Sequence, residues 1–316
     1  MSELNALTNF IKKDFNKSLK SFPFPREPKY LYEPIKYALN VSGKRIRPIL
    51  LHLYGKELNA DPNDLMKLSL SIELLHCFTL VHDDIMDSDN LRRGVPTVHK
   101  EFDISSAILA GDGIFTIGQL VLTELNNPNI YKLFNHTVLD ICEGQGFDKQ
   151  FEELDNITME DYINMVEKKT GALIGACLSL PAALAGKTDK EINKVKSIGH
   201  KIGIAFQIQD DLLEIFSEEK NMGKSLGSDI LYNKKTAIAI EANKNFHNEW
   251  NDLINKFNGN SIENIRFFLI KNKIKDKIDK LVEKYFYLAF NEMEKIGLKQ
   301  NCNLYKFIKK IQGRHS

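Results

Sequence analysis

The residues best suited to chemistry lie in His82-Asp83-Asp84-Ile85-Met86-Asp87. Asp83 and Asp87 are four apart, so on a helix both carboxylates leave one face. Like charges repel there, and they stand at the C-terminal end of an apolar stretch, where the helix dipole disfavours anions. A cation between them relieves both strains. Hard oxygens without histidine or cysteine partners suit magnesium, which takes one or two carboxylates and fills its octahedron with water and phosphate oxygens. Alone, the pattern also fits a solvated acidic helix end. Its neighbours favour the metal: Arg92 and Arg93 follow, then Gly94 and Thr97. An arginine pair beside such carboxylates meets what a diphosphate requires, with metal on one side and guanidinium on the other.

A second acidic set closes Phe206-Gln207-Ile208-Gln209-Asp210-Asp211-Leu212-Leu213-Glu214, where Asp210 and Glu214 repeat the four-residue spacing. Glycine, lysine and aspartate then alternate through Gly223-Lys224-Ser225-Leu226-Gly227-Ser228-Asp229, ahead of Asn233-Lys234. That is the composition of a mobile loop carrying ammonium groups. Two acidic helix ends, each followed by a basic segment, predict carboxylates facing each other across a metal–diphosphate cluster. Gly43-Lys44-Arg45-Ile46-Arg47-Pro48 adds three cations beside a glycine, which by itself also fits a solvated basic turn. His76 lies seven residues, two helical turns, before Asp83 and shares its face. A lone histidine on an apolar helix is otherwise a core residue, and His82 is read as one.

These groups need long helices to position them. The chain has 316 residues, enough for one large domain or two ordinary ones, and 43% of them are hydrophobic, enough for a substantial core. Only 9 prolines interrupt it. Residues 31–57 read as a helical region broken at Ser42-Gly43. Asp61-Pro62 is a helix start, with an N-cap aspartate and proline at the first position. Leu65 to Met86 is apolar nearly all round and belongs inside a bundle. Residues 88–97 read as a loop. Further helices are expected at about 103–124, 129–154, 159–185, 189–216 and 234–246, with an amphipathic helical tail from about 260 to 313. No alternating strand stands out. The expectation is a single all-α domain over residues 1–316, a helical bundle with a deep central cavity.

The formal net charge of +1 argues against a nucleic-acid binder. Cys77, Cys142, Cys177 and Cys302 are far apart and form no CxxC pair, as expected of free thiols in a reducing cytosol. The start, Met1-Ser2-Glu3-Leu4-Asn5, shows no secretory pattern. The most apolar stretch, Gly171 to Gly186, contains Pro181 and is shorter than the roughly 20 residues that span a bilayer. It is expected to be a buried helix bent or interrupted at the proline. The chain is therefore read as a cytoplasmic protein and not as an integral membrane one.

The segments GKRIRP, LLHCFTLVHDDIMD with LRRG, KKTG and FQIQDDLLE, in that order between about residues 40 and 240, resemble the trans-prenyl diphosphate synthases. These are the head-to-tail enzymes that make farnesyl, geranylgeranyl and longer diphosphates. Residues 245–316 match only in being helical. The resemblance implies that Lys44, Arg47, His76 and Arg93 hold the diphosphate of isopentenyl diphosphate. It implies that Asp83, Asp87 and Asp210 ligate magnesium ions, three in all, with manganese able to substitute. Asp84, Asp211 and Glu214 would support those ions or their waters. Arg92, Lys169, Lys224 and Lys234 would contact the allylic diphosphate (dimethylallyl, geranyl or farnesyl). Thr170 and Gln207 would face the developing carbocation, and Gln145 and Asp148 would line the site. The catalytic set so implied is Asp83, Asp84, Asp87, Lys169, Asp210 and Asp211, in a homodimer. The 217–229 loop and the C-terminal tail would be lids. Three positions depart from the family's pattern: Glu214 for a usual aspartate, Asn233 for a common glycine, and Ala237-Ile238 for leucine–proline.

Product length is read from Phe78, five residues and about 7.5 Å before Asp83 along the helix. A large ring there would stop the growing tail, and small Thr79 follows it. The resemblance favours the twenty-carbon geranylgeranyl product over the fifteen-carbon farnesyl one, with a longer-chain synthase as a further alternative. Leu75 and Ile72 are other candidate floor positions. The rivals are a terpene cyclase, which needs no second diphosphate site, and a non-catalytic subunit of a heteromeric synthase, a type that tends to lose an acidic motif.

Overall fold

Asp61 opens the helix that carries the first acidic set. Its carboxylate accepts from Asn63 N at 2.8 Å and Asp64 N at 3.2 Å, with Pro62 in the first turn. The helix runs Pro62–Met86, and Asp87 is its C-cap. This computed structural model describes residues 3–41, 43–154, 156–217, 230, 234–257 and 262–313. The chain-order elements are α1 (Glu3–Lys20), α2 (Lys29–Asn40), α3 (Ile46–Glu57), α4 (Pro62–Met86), β1 (Leu91–Arg92), β2 (Val95–Pro96), α5 (Val98–Glu101), α6 (Ile104–Thr123), α7 (Pro128–Glu152) and α8 (Met159–Val166). They continue as a π-helical turn (Glu167–Gly171), α9 (Ala172–Leu184), α10 (Asp189–Phe216), α11 (Ala237–Asn255), α12 (Ile262–Lys271), α13 (Ile274–Lys295) and α14 (Asn303–Gln312). The all-α expectation holds. Three details differ. The 88–97 loop contains a two-residue antiparallel ladder, Leu91 opposite Pro96 and Arg92 opposite Val95. The 159–185 segment changes to π geometry at Glu167. Pro181 neither ends nor splits α9, which continues to Leu184.

The chain folds into two compact units, each drawn from more than one stretch of sequence. The first comprises 1–138, 176–196 and 300–307. Its core gathers Phe15 and Leu19 of α1, Ile35 and Leu39 of α2, Leu70, Leu74 and Val81 of α4, and Ala107, Ala110 and Ile114 of α6. α4 and α6 are each long and apolar enough to cross a membrane by length and composition. They pack on each other within this unit, so they are not a sign of a membrane protein. The second unit comprises 139–175, 197–299 and 308–316. Here α10 crosses the π turn and the start of α9 at small residues. A Cβ on Gly203 would lie 2.5 Å from the Cα of Gly171, and one on Gly199 would lie 2.5 Å from that of Gly175. Only bare backbone lets the two segments approach this closely. All four cysteines are free, and burial pushes the thiols of Cys77 and Cys177 up to about 12.

Candidate active-site residues

In the first unit, α4 sets Asp83 and Asp87 one turn apart at its exit, with Asp87 N donating to Asp83 O at 2.8 Å. Both are half-buried. Asp84 turns inward and is 3% exposed. Arg92, on β1, closes on it: Arg92 Nε donates to Asp84 Oδ1 at 2.6 Å, and its terminal nitrogen pairs with the same oxygen. Asp89 lies 3.6 Å from that nitrogen. Burial opposes the Arg92 charge, but Asp84, Asp89 and Asp83 outweigh it and raise its pKa. The short ladder thus folds an arginine back onto the acidic helix end. Arg93, with φ 53, turns away before Gly94.

The basic turn splits its three cations. Arg45 adopts left-handed backbone (φ 56, ψ 38) as N-cap of α3. It points inward, onto Glu73 at 2.6 Å and Asn16 at 2.9 Å. Lys44 stays exposed. Arg47 Nη1 donates to His76 Nε2 at 3.0 Å. Burial, then repulsion by Arg47, Arg93, Arg92 and Arg45, holds the His76 pKa well below its usual value. A neutral ring accepting at Nε2 carries its proton on Nδ1. His76, Asp84, Arg92 and Arg93 line one cavity with Arg45, Glu73 and Tyr37. The structure therefore brings together His76, Arg47, Arg92 and Arg93 from the expected set. Glu73 is a site residue that sequence reasoning missed: a buried acid 28 positions from its arginine carries no local signal.

Phe78 lies further back on α4, where its ring meets His82 at 4.7 Å and Phe115 of α6 at 5.2 Å. Thr79 Oγ1 donates to His76 O at 2.8 Å. Leu75 and Ile72 are fully buried.

In the second unit, Asp211 is 6% exposed and both its oxygens are held by neutral donors. Tyr162 OH donates to Oδ2 at 2.6 Å and Gln207 Nε2 to Oδ1 at 2.9 Å. Thr170 Oγ1 donates to Gln207 Oε1 at 3.0 Å, so Thr170, Gln207 and Asp211 form one chain. The glycine crossing brings Thr170 and α10 within reach. Lys169 Nζ donates to Asp148 Oδ2 at 2.5 Å, and Lys168 to Glu143. These lysines sit on the π turn, a geometry frequent at functional sites, and α7 accommodates it at Gly144, where a Cβ would lie 2.3 Å from Lys169 N. Gln145 and Glu214 are each 9% exposed, and Asp210 is half-buried. Arg266 of α12 was also missed. It donates to Ile215 O at 2.6 Å and Ser217 O at 2.7 Å, satisfying the orphan carbonyls at the end of α10. Lys234 is half-buried just before α11. There Thr236 caps α11 by accepting from Ala239 N, which takes the place of proline at that start. Lys224, Asn233 and the 218–229 segment lie outside the described residues.

The donor set fits a hard divalent cation. Among the described residues no three histidine, cysteine, aspartate or glutamate side chains converge. Pairs four apart, Asp83 with Asp87 and Asp210 with Glu214, instead suit magnesium that completes its shell with water and phosphate oxygens.

A polyprenyl synthetase family model matches residues 28–267. The geranylgeranyl diphosphate synthase of Sulfolobus acidocaldarius is 34% identical over 313 residues, covering 95% of this chain and 94% of that protein. The geranylfarnesyl diphosphate synthase of Natronomonas pharaonis is 39% identical over 238 residues, 69% of this chain and 70% of that protein. A crystal structure of a geranylgeranyl pyrophosphate synthase superposes with a TM-score of 0.90 at 30% identity, covering all of both chains.

Proposed function

Since the chain belongs to the polyprenyl synthetase family, we propose that it is a head-to-tail prenyltransferase. It joins isopentenyl diphosphate to an allylic diphosphate and releases an all-trans prenyl diphosphate, with geranylgeranyl diphosphate as the preferred product. The observation that carries this is the neutral His76 ringed by Arg47, Arg92, Arg93 and Arg45, two turns before Asp83. Cations crowded in that way outnumber the acids beside them, Asp84, Asp89 and Glu73, and suit an anion of more than one charge. The family model crosses both units, which supports reading 1–316 as one synthase domain.

Lys44, Arg47, His76 and Arg93 would bind the diphosphate of isopentenyl diphosphate, a group that stays attached. Asp83 and Asp87 would hold magnesium, as would Asp210, with three ions expected. The family uses a divalent metal, which when bound would neutralise the departing diphosphate. Lys169, Lys224 and Lys234 would add positive charge to that leaving group. Arg92 reaches it while anchored on Asp84. Ionisation leaves an allylic cation that the double bond of isopentenyl diphosphate attacks. Thr170 and Gln207 would turn oxygens toward that cation, their hydrogen-bond chain fixing the orientation. The released diphosphate would take the proton, so no side-chain base is required.

Phe78, backed by Phe115, would be the floor that limits chain length. A second reading, a twenty-five-carbon product, is favoured by the identity to the Natronomonas enzyme. We also place the protein in the cytoplasm as a homodimer. Ile104, Ile108, Leu109 and Leu120 of α6 are 44–59% exposed, an apolar face suited to a second copy. The test is to incubate the purified chain with magnesium, labelled isopentenyl diphosphate and each allylic primer. Labelled twenty-carbon alcohol after dephosphorylation is expected. No condensation by the chain alone would point to the non-catalytic subunit instead.

A further inference from the structure

A second cavity in the first unit, which shares only Leu39 and Arg45 with the cavity of His76 among the described residues, is strongly basic. It encloses about 480 Å³, within the roughly 300–1,000 Å³ of small-molecule sites. Lys12, Asn16 and Lys20 follow one another at four-residue steps, so α1 shows them on one face. Lys36 and Asn40 do the same on α2, and the half-buried Arg45 also lines the cleft. Among the described residues no aspartate or glutamate lines it. Among the described residues the side chains of Lys12 and Lys20 make no hydrogen bond or ion pair. Lys36 Nζ donates only to Pro25 O, at 3.2 Å. The Arg45 charge is already matched by Glu73. Among the described residues these three ammonium groups thus have no counter-charge. The remaining lining is apolar: Leu19 and Leu39, 6% and 9% exposed, and the rings of Phe22 and Phe24, 4.7 Å apart and tilted by 45°. Rings tilted against each other offer no parallel slot for a nucleobase. They do offer a floor for hydrocarbon.

We propose that this cleft binds a diphosphate-bearing amphiphile, the headgroup on Lys12, Lys20 and Lys36 and the hydrocarbon on Leu19, Leu39, Phe22 and Phe24. Given the synthase reading above, on which the identity of the ligand rests, the amphiphile is a prenyl diphosphate and the site reports product to the enzyme. Arg45 is the link. It lines both this cleft and the cavity of His76, Arg92 and Arg93, and it lies between Lys44 and Arg47 in the chain. A diphosphate drawing Arg45 away from Glu73 would move the turn that carries both substrate-binding cations. The result is inhibition by product at a site separate from the catalytic one.

Titration calorimetry in excess chelator on the wild type and on Lys12→Gln/Lys20→Gln/Lys36→Gln tests this, with geranylgeranyl diphosphate and inorganic diphosphate as the two ligands. The wild type is expected to bind one more prenyl diphosphate per chain than the variant, and inorganic diphosphate at least about tenfold more weakly at that site. Added product is expected to inhibit the wild type noncompetitively against the allylic primer and the variant only competitively, with uninhibited turnover equal in both. Single Lys12→Gln and Lys20→Gln chains are expected to move in the same direction and serve if the triple variant melts early. Equal stoichiometry in wild type and variants overturns the site. Inorganic diphosphate binding as tightly as the prenyl ester overturns its apolar half. A wild type with the extra site and no condensation activity would uphold the cleft and overturn the synthase reading alone.

Discussion

Single side chains in this protein divide into those that face ligand and those that hold the others in place. Arg92 and Asp84 do the second whatever else they do, since an ion pair this buried leaves an uncompensated charge when one partner goes. Arg92→Ala is therefore expected to cost about 3 kcal/mol of stability as well as activity, read by thermal melting beside kinetics; an unchanged melt would mean that Asp84 finds another partner. Lys44→Ala and Arg47→Ala should chiefly raise KM for isopentenyl diphosphate, because that diphosphate does not leave. Lys169→Ala should lower kcat, because leaving-group charge grows in the transition state. Identical effects in all three would contradict separate roles. His76 gives a stability prediction with a definite sign. Its folded pKa lies below the ordinary 6.5, so the unfolded chain takes the proton first. The stability linked to His76 is present above about pH 6.5 and is lost as pH falls through it, by up to about 1.4 kcal/mol per unit. His76→Gln should flatten that decline, and a wild-type slope unchanged by the substitution would refute the buried neutral ring. The residue types and spacings made both acidic sets and the basic turn legible. They could not show that Arg45 turns to Glu73, or that Tyr162 and Gln207 both bond to Asp211, because those partners lie 28, 49 and 4 positions away and only folding selects among many candidates.

At the scale of elements, the second unit depends on how closely α10 can approach the π turn and the start of α9. Gly203→Ala puts a methyl 2.5 Å from Gly171 Cα, where backbone must move. A loss of about 1–3 kcal/mol is expected from denaturant melts, with a fall in kcat as Thr170 separates from Gln207. A silent substitution would show that the crossing is not what sets their contact. The long helices were legible because period, capping residues and length agree, as at Asp61-Pro62. The π turn was not, since Glu-Lys-Lys-Thr-Gly suits an ordinary helix and its close approach to Gly144 of α7 appears only on folding. Arg266 as the cap of α10 was invisible for a similar reason: it arrives from a segment whose only local signal was amphipathic helix.

For the whole molecule, α4 and α6 together are proposed to set product length. Phe78→Ala should lengthen the product by one or more isoprene units and Thr79→Phe should shorten it, seen by chromatography of the dephosphorylated alcohols; an unchanged distribution in folded Phe78→Ala would move the floor to Leu75, Ile72 or elsewhere. The all-α class and the order of the motifs were readable in the chain. The packing around Phe78 was not, since Phe78 lies beside a motif but the ring it meets, Phe115, comes from another helix. The central claim is that metal held by the two acidic sets drives condensation. The most direct measurement is the steady-state rate of isopentenyl incorporation by wild type, Asp83→Ala, Asp87→Ala and Asp210→Ala, each with magnesium and with excess chelator. Wild-type activity is expected to vanish in chelator, and the variants to be slower by orders of magnitude with melting temperatures close to wild type. Full wild-type activity in chelator, or full activity in the folded variants, would contradict it.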